Sequence, residues 1–330
     1  MSRKFVSFLL AIFFLGHVHL AEAQRAGKVY RIGFLASGPP PPRPVPPTFP
    51  TVAFRQALAE LGYVEGQNVV LEDRWAAGKP QQLPSLAAEL VRLKVDIIVA
   101  SGVSAVRAAK NATWTIPIVM AGTMDPVAFE LVASLARPGG NVTGLSDSTG
   151  RELEGKRLEL LKEAVPRISR VGVVLDSASR LDPAPIQDAA RALGLTLILS
   201  SETASPEEFE SAFAGMTRER ADALYAPETP INVRYRSLII ELAAKNRLPV
   251  MYGSREFVEA GGLIAYGADF ADLFRRAATY VDKILKGVKP AELPVQQPMR
   301  FELVISLKAA KRIGLTIPPQ VLMRADKVLK

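Results

Sequence analysis

The 330-residue chain contains no cysteine, and its two histidines, His17 and His19, both fall in the first twenty residues. Without cysteine there are no disulfides and no thiolate nucleophile. Beyond residue 19 the commonest general base and the commonest transition-metal ligand are missing too. A zinc site built on the usual nitrogen and sulfur ligands is excluded. Tryptophan is scarce, at Trp75 and Trp114 only. After the N-terminal segment no run is apolar enough for a membrane-spanning helix, which needs roughly twenty residues. No cluster of Lys and Arg with interleaved aromatics is found, so the charge of +8 reads as solvated helix faces rather than a nucleic-acid surface.

What is present begins with an export signature. Arg3 and Lys4 precede an apolar stretch from Phe5 to Leu15, and Ala21-Glu22-Ala23 follows. A charged start, a short apolar segment and an A-x-A site predict a signal peptide over residues 1–23, cleaved near Ala23. Removing it would take both histidines from the mature chain. The expected location is periplasmic.

From there strand-like and helix-like segments alternate. Apolar runs at 31–37, 68–75, 95–100, 116–121 and 142–146 predict five strands, with helices over 53–61, 83–93, from 102 to 110, and from Asp125-Pro126 to just before Arg137. The pattern restarts with a helix over 151–164. Strands follow near 170–176, 195–200, 222–226, 249–252 and 263–267, separated by helices. A helix over 270–286 and a tail with an extended segment and a helix complete it. Such alternation predicts α/β architecture with two parallel sheets, each covered on both faces. Pro39 to Pro50 is the one low-complexity stretch, extended and stiff. It reads either as a surface loop or as a rim of the site.

In open α/β sheets, ligands lie beyond the carboxyl ends of strands, where helix starts offer unpaired N–H groups. The residues there are Ser37, then Ser101, Gly102, Val103 and Ser104, then Thr123 and Asp125, then Asp147 and Ser148. In the second half they are Asp176, Ser177, Glu228, Thr229, Tyr252, Ser254, Tyr266 and Asp269. Each has a plainer reading. Ser101, Ser104 and Asp125 suit helix caps, and the tyrosines suit the edge of a core. Glu228, between Pro227 and Pro230, is not needed as a cap, which favours a ligand ammonium. Signatures of catalysis are missing: no G-x-G-x-x-G after a strand, no P-loop and no G-x-S-x-G. A His-dependent triad cannot form in the mature chain, and no pair of carboxylates stands out. The expectation is a binder, not an enzyme, with no cofactor.

Several segments carry a family resemblance: Arg31-Ile-Gly-Phe-Leu35, Leu61-Gly-Tyr-Val-Glu-Gly-Gln-Asn68, Ala133-Ser-Leu-Ala-Arg-Pro-Gly-Gly-Asn-Val-Thr-Gly144, Gly155-Lys-Arg-Leu-Glu-Leu-Leu-Lys-Glu-Ala-Val-Pro166 and Phe257-Val-Glu-Ala-Gly-Gly-Leu263. The chain resembles the substrate-binding proteins of ABC transporters, of periplasmic-binding-protein type I, in the family related to tryptophan/tyrosine-binding proteins. That resemblance implies two Rossmann-like lobes joined by crossing hinge strands, residues 25–146 with 266–290 and residues 147–265 with 291–330. Hinges would fall at 143–146 and 265–268. It implies a monomer that captures a small solute by closure and docks on an ABC permease with its cytoplasmic ATPase. The implied solute is an aromatic or hydrophobic amino acid. Ser101 to Ser104 would meet its carboxylate, Asp125 or Glu228 its ammonium, and Tyr252 or Tyr266 its side chain. A sugar, nucleoside or aromatic acid is the alternative solute, and a secreted α/β hydrolase the alternative class.

Overall fold

The computed structural model describes residues 28–330 except 39, 42, 46–48, 148–151 and 176–183. The expected signal peptide and much of the proline-rich stretch therefore lie outside the described residues.

The first sheet contains β1 (Tyr30–Ala36), β2 (Val69–Trp75), β3 (Ile97–Ser101), β4 (Ile118–Ala121) and β5 (Val142–Leu145) in the order β2-β1-β3-β4-β5. Every neighbouring pair is parallel. The run Ile97-Ile98-Val99-Ala100 has no accessible surface, as a central strand covered on both faces requires. Helices α1 (Pro50–Glu60), α2 (Leu83–Arg92) and α3 (Val103–Ala112) connect these strands. One face is packed by Phe54 and Leu58 of α1, the other by Leu90 of α2 and Val106 of α3.

The second half opens with α4 (Glu152–Ala164) and then β6 (Arg170–Val173), α5 (Ala184–Ala192), β7 (Thr196–Leu199), α6 (Pro206–Arg218), β8 (Ala223–Ala226), α7 (Pro230–Arg234), α8 (Arg236–Lys245), β9 (Val250–Tyr252), α9 (Arg255–Glu259) and β10 (Ile264–Ala268). The chain then leaves this sheet through α10 (Phe270–Leu285), whose Leu273, Phe274, Ala277 and Val281 fill the first sheet's core beside α1. It returns as β11 (Phe301–Ser306), α11 (Leu307–Ile313), α12 (Pro319–Arg324) and β12 (Lys327–Leu329). The second sheet has the order β12-β11-β10-β9-β8-β6-β7.

Two expectations need correction. The second sheet is not wholly parallel, because β11 runs antiparallel to β10, with Ala268 opposite Phe301. The chain leaves at the carboxyl end of β10 and re-enters at that same end, so the returning strand must point the other way. The helix expected after Asp125-Pro126 is a series of turns. Asp125 Oδ1 does accept from the Ala128 N–H at 3.0 Å, as an N-cap would. But Glu130 takes φ +58, and the N–H groups of Leu131 and Val132 both donate to the Pro126 carbonyl. Both side chains are thereby turned into the core.

Three stretches cross between the sheets. Residues 143–146 and 293–296 run side by side: Thr143 Oγ1 donates to the Leu293 carbonyl at 2.6 Å, and the N–H of Ser146 to the Gln296 carbonyl at 2.9 Å. The third is 268–269, where the N–H of Asp269 donates to the Arg300 carbonyl at 3.0 Å.

Candidate functional site

The carboxyl ends of the first sheet's strands are stitched into a row. The N–H of Ser37 donates to the Ser101 carbonyl at 3.5 Å, that of Gly102 to the Gly122 carbonyl at 3.3 Å, and that of Asp147 to the Thr123 carbonyl at 3.3 Å. Gly102 is the N-cap of α3 at φ +89, a conformation that favours glycine, and an added Cβ would stand 3.3 Å from Ser37 Oγ. Behind it the first turn of α3 presents the N–H groups of Val103 and Ser104 and the positive end of the helix dipole. Two hydroxyls flank this start. Ser37 Oγ and Thr123 Oγ1 are both buried without a partner among the described residues, and Thr123 is 0% exposed. Buried hydroxyls in native proteins are normally satisfied, so two orphans beside one helix start point to an acceptor supplied from outside.

The second sheet answers with carboxylate. Glu228 follows β8 and is half-buried. Its backbone lies on Gly253, where an added Cβ would come within 2.6 Å of the Glu228 Cβ and 2.7 Å of its N. Beneath, Arg157 of α4 is 6% exposed. It donates to the carbonyls of Tyr266 (2.8 Å) and Gly253 (3.0 Å), to Tyr225 Oη (3.1 Å) and to Glu154 Oε1 (3.0 Å). Tyr225 Oη in turn donates to Glu154. Burial alone would lower the Arg157 pKa, but Tyr225, Glu154 and Glu228 raise it, so the guanidinium stays charged.

Burial pushes the Glu228 carboxyl up to about 8, with the fields of Asp147 and Glu256 adding to it and Arg157 and the Ser254 hydroxyl opposing. Burial likewise pushes Asp147 up to about 7, against its own backbone N–H and the Arg157 charge. A carboxylate from the end of β8 thus lies in the field of one from the end of β5. Both are strained toward the protonated form in the absence of a cation.

Ser37, Ser101, Gly102, Val103, Ser104 and Thr123 are brought together in the first-sheet row. Glu228 lies in the field of Asp147, whose N–H is bonded to the Thr123 carbonyl of that row. Four further expected residues have partners within the fold. Asp125 is exposed and caps its turn. Tyr252 is 1% exposed, with its ring stacked on Phe257 at 4.8 Å inside the core beside α8. Tyr266 packs its ring against Phe301 at 6.0 Å and against the core beside α4, contributing its carbonyl to Arg157. Asp269 caps α10, accepting from the N–H groups of Ala271 at 2.9 Å and Asp272 at 3.2 Å. Ser148, Asp176 and Ser177 lie outside the described residues. Sequence reasoning passed over Asp147 as a partner for Glu228, and Arg157 altogether. The only signal for Arg157 was a basic residue on the apolar side of α4. Among the described residues no group of three or more acidic or histidine side chains is arranged to hold a metal ion, and no helix is long and apolar enough to cross a membrane.

The chain is similar to several known proteins. The family model described as ABC transporter substrate binding protein matches residues 51–329. A tyrosine-binding protein from Clostridioides difficile (strain R20291) is 28% identical over 265 residues, spanning 79% of this chain and 75% of that protein. A crystal structure of a conserved domain protein from Vibrio cholerae is similar at a TM-score of 0.77 and 29% identity, covering 91% of this chain and 100% of that one. The ABC domain from Streptococcus pneumoniae in complex with L-Trp is similar at 0.78 and 27%, covering 91% and 99%. The two α/β lobes are those of periplasmic-binding-protein type I structures, and the matching family is one of substrate-binding proteins rather than enzymes. The chain belongs to the family of ABC transporter substrate-binding proteins.

Proposed function

We propose that the chain captures an aromatic or other hydrophobic amino acid outside the cytoplasm and delivers it to an ABC importer. What supports this reading is the presence of two complementary chemistries at the strand ends. On the first lobe, the start of α3 and the orphaned hydroxyls of Ser37 and Thr123 suit a carboxylate. At its far end, Asp147 with Glu228 of the second lobe suits an ammonium. An α-amino acid carries both groups on one carbon. The names of the relatives, one tyrosine-binding and one crystallised with L-Trp, support the aromatic choice.

Binding from both lobes favours the closed arrangement over the open one, with rotation absorbed at 143–146, 268–269 and 293–296. The protein would act as a periplasmic monomer, freed by cleavage near Ala23, and present the closed form to the permease and its cytoplasmic ATPase. A thermal-shift screen of amino acids, sugars, nucleosides and aromatic acids tests the reading. Stabilisation by L-tryptophan or L-tyrosine is expected. Stabilisation by sugars or nucleosides alone would overturn it.

A further inference from the structure

β2 ends at Trp75, in parallel register with Ala36 of β1. The next residue of β1's exit is Ser37, one of the two orphaned hydroxyls. The Trp75 ring centroid lies 5.0 Å from that of Phe34 and 6.3 Å from that of Phe49. Phe34 is buried in the core, so it backs the indole rigidly. Phe49 stands directly before Pro50, the first residue of α1, and has the extended backbone (φ −70, ψ 130) that a following proline favours. The indole is held between two rings, yet it remains half-buried rather than sealed. Phe270, also half-buried, sits over Gly122 on the same side of the sheet, where an added Cβ would meet its ring at 2.8 Å. Along the carboxyl edge the order is therefore indole, Ser37, the start of α3, Thr123, Asp147. Neighbouring strands are about 4.8 Å apart, which sets the start of α3 roughly 10 Å from the end of β2. An indole or phenol side chain spans much of that distance and brings its ring to Trp75; a short aliphatic chain leaves a gap.

We propose that the Trp75 indole, braced by Phe34 and Phe49, is the surface against which the aromatic ring of the solute lies, making Trp75 the residue that sets preference for aromatic over aliphatic amino acids. This assignment rests on the amino-acid reading above. Ring pairs gain from offset or edge-to-face contact beyond the area they bury. A platform already fixed by its neighbours loses little freedom on binding.

The test uses calorimetric titration of the full mature protein with L-tryptophan, L-tyrosine, L-phenylalanine and L-leucine, repeated on Trp75→Ala and Trp75→Phe. Trp75→Ala is expected to weaken the aromatic solutes by roughly tenfold or more and L-leucine by far less, while Trp75→Phe keeps most of the aromatic preference. A second readout uses Trp114→Phe, which leaves Trp75 as the sole tryptophan. Trp114 is 83% exposed in the turn between α3 and β4, at the opposite end of the sheet. Saturation with L-phenylalanine, which does not absorb at the red edge of the indole band, is expected to shift Trp75 emission. Equal weakening of aromatic and aliphatic solutes, or an emission spectrum indifferent to L-phenylalanine, overturns the assignment and leaves the amino-acid reading standing. If the unaltered protein binds none of the four, the reading fails and the assignment falls with it.

Discussion

Glu228, just past the end of β8, lies in the field of Asp147, just past the end of β5, so each lobe contributes one carboxylate to the border between them. Arg157 is close enough to act on both, but four of its five N–H groups are already committed to Glu154, Tyr225 and two backbone carbonyls. Glu256 adds a further negative charge. The pair is left short of cation. A bound ammonium would supply it, and would do so best when the two lobes are together.

Solute binding should therefore release protons near neutral pH. In the free protein burial holds Asp147 and Glu228 at about 7 and about 8. An ammonium beside them favours the ionised forms and draws both values down. Affinity for L-tryptophan is expected to rise as pH increases from about 6 to about 8, and to level off above the free-protein values. Titrations in two buffers of different ionisation enthalpy would measure the released protons. Proton uptake, or none, would show that no cation reaches the pair.

The stability of the unliganded protein should change in the opposite direction. Both carboxyls titrate higher in the folded chain than their ordinary values of 3.8 and 4.5. Between those values and the raised ones, the folded state holds protons that the unfolded state has lost. Stability is then greatest at low pH and declines as pH rises through about 7 to 8. Thermal melts without solute, from pH 5.5 to 8.5, should show a falling midpoint from this pair. Glu228→Gln should flatten the decline.

Arg157 carries a different expectation, because it holds the second lobe's strand ends together rather than touching solute. Removing it leaves Glu154 with the Tyr225 hydroxyl but no cation, and leaves the carbonyls of Gly253 and Tyr266 without their donor. Breaking a buried pair in this way typically costs about 3–5 kcal/mol. Arg157→Met should lower stability in urea unfolding by that order. Arg157→Lys should recover little, since one ammonium cannot span carbonyls from two strands and a phenol.

Much of the fold was legible because it depends on local pattern. The uninterrupted apolar run Ile97 to Ala100 marks a strand covered on both sides, and the spacing of Leu273, Phe274, Ala277 and Val281 marks one face of α10. The row from Ser37 through Gly102 to Thr123 was legible as well, since it requires only knowing where strands end. Side-chain direction at those ends was not. Tyr252 and Glu228 both stand near strand ends, but Tyr252 turns into the core against Phe257 while Glu228 is lifted on Gly253. That difference arises from packing between segments far apart in the chain. The antiparallel return of β11 follows from the path of the crossings and has no local signature either.

The choice between Asp125 and Asp147 condenses that lesson into one experiment. Asp125 precedes Pro126, and its carboxylate accepts from the Ala128 N–H at 3.0 Å on an exposed turn. Its role is complete within four residues. Asp147 is half-buried and acts on Glu228 from the neighbouring lobe. Asp125→Ala is expected to cost about 1 kcal/mol of stability, as loss of a cap does, and to leave affinity for L-tryptophan within about twofold. Asp147→Asn and Glu228→Gln should each weaken L-tryptophan by about tenfold or more, the loss for one charged hydrogen bond to a buried ammonium. Since each neutralises one of two like charges, both variants should hold or gain thermal stability when unliganded. A variant that loses affinity while its melting point rises has lost a solute contact, because structural damage would lower both. Should Asp125→Ala instead be the variant that abolishes binding, the ammonium subsite belongs on the 125–132 turn and the carboxylate pair has another use.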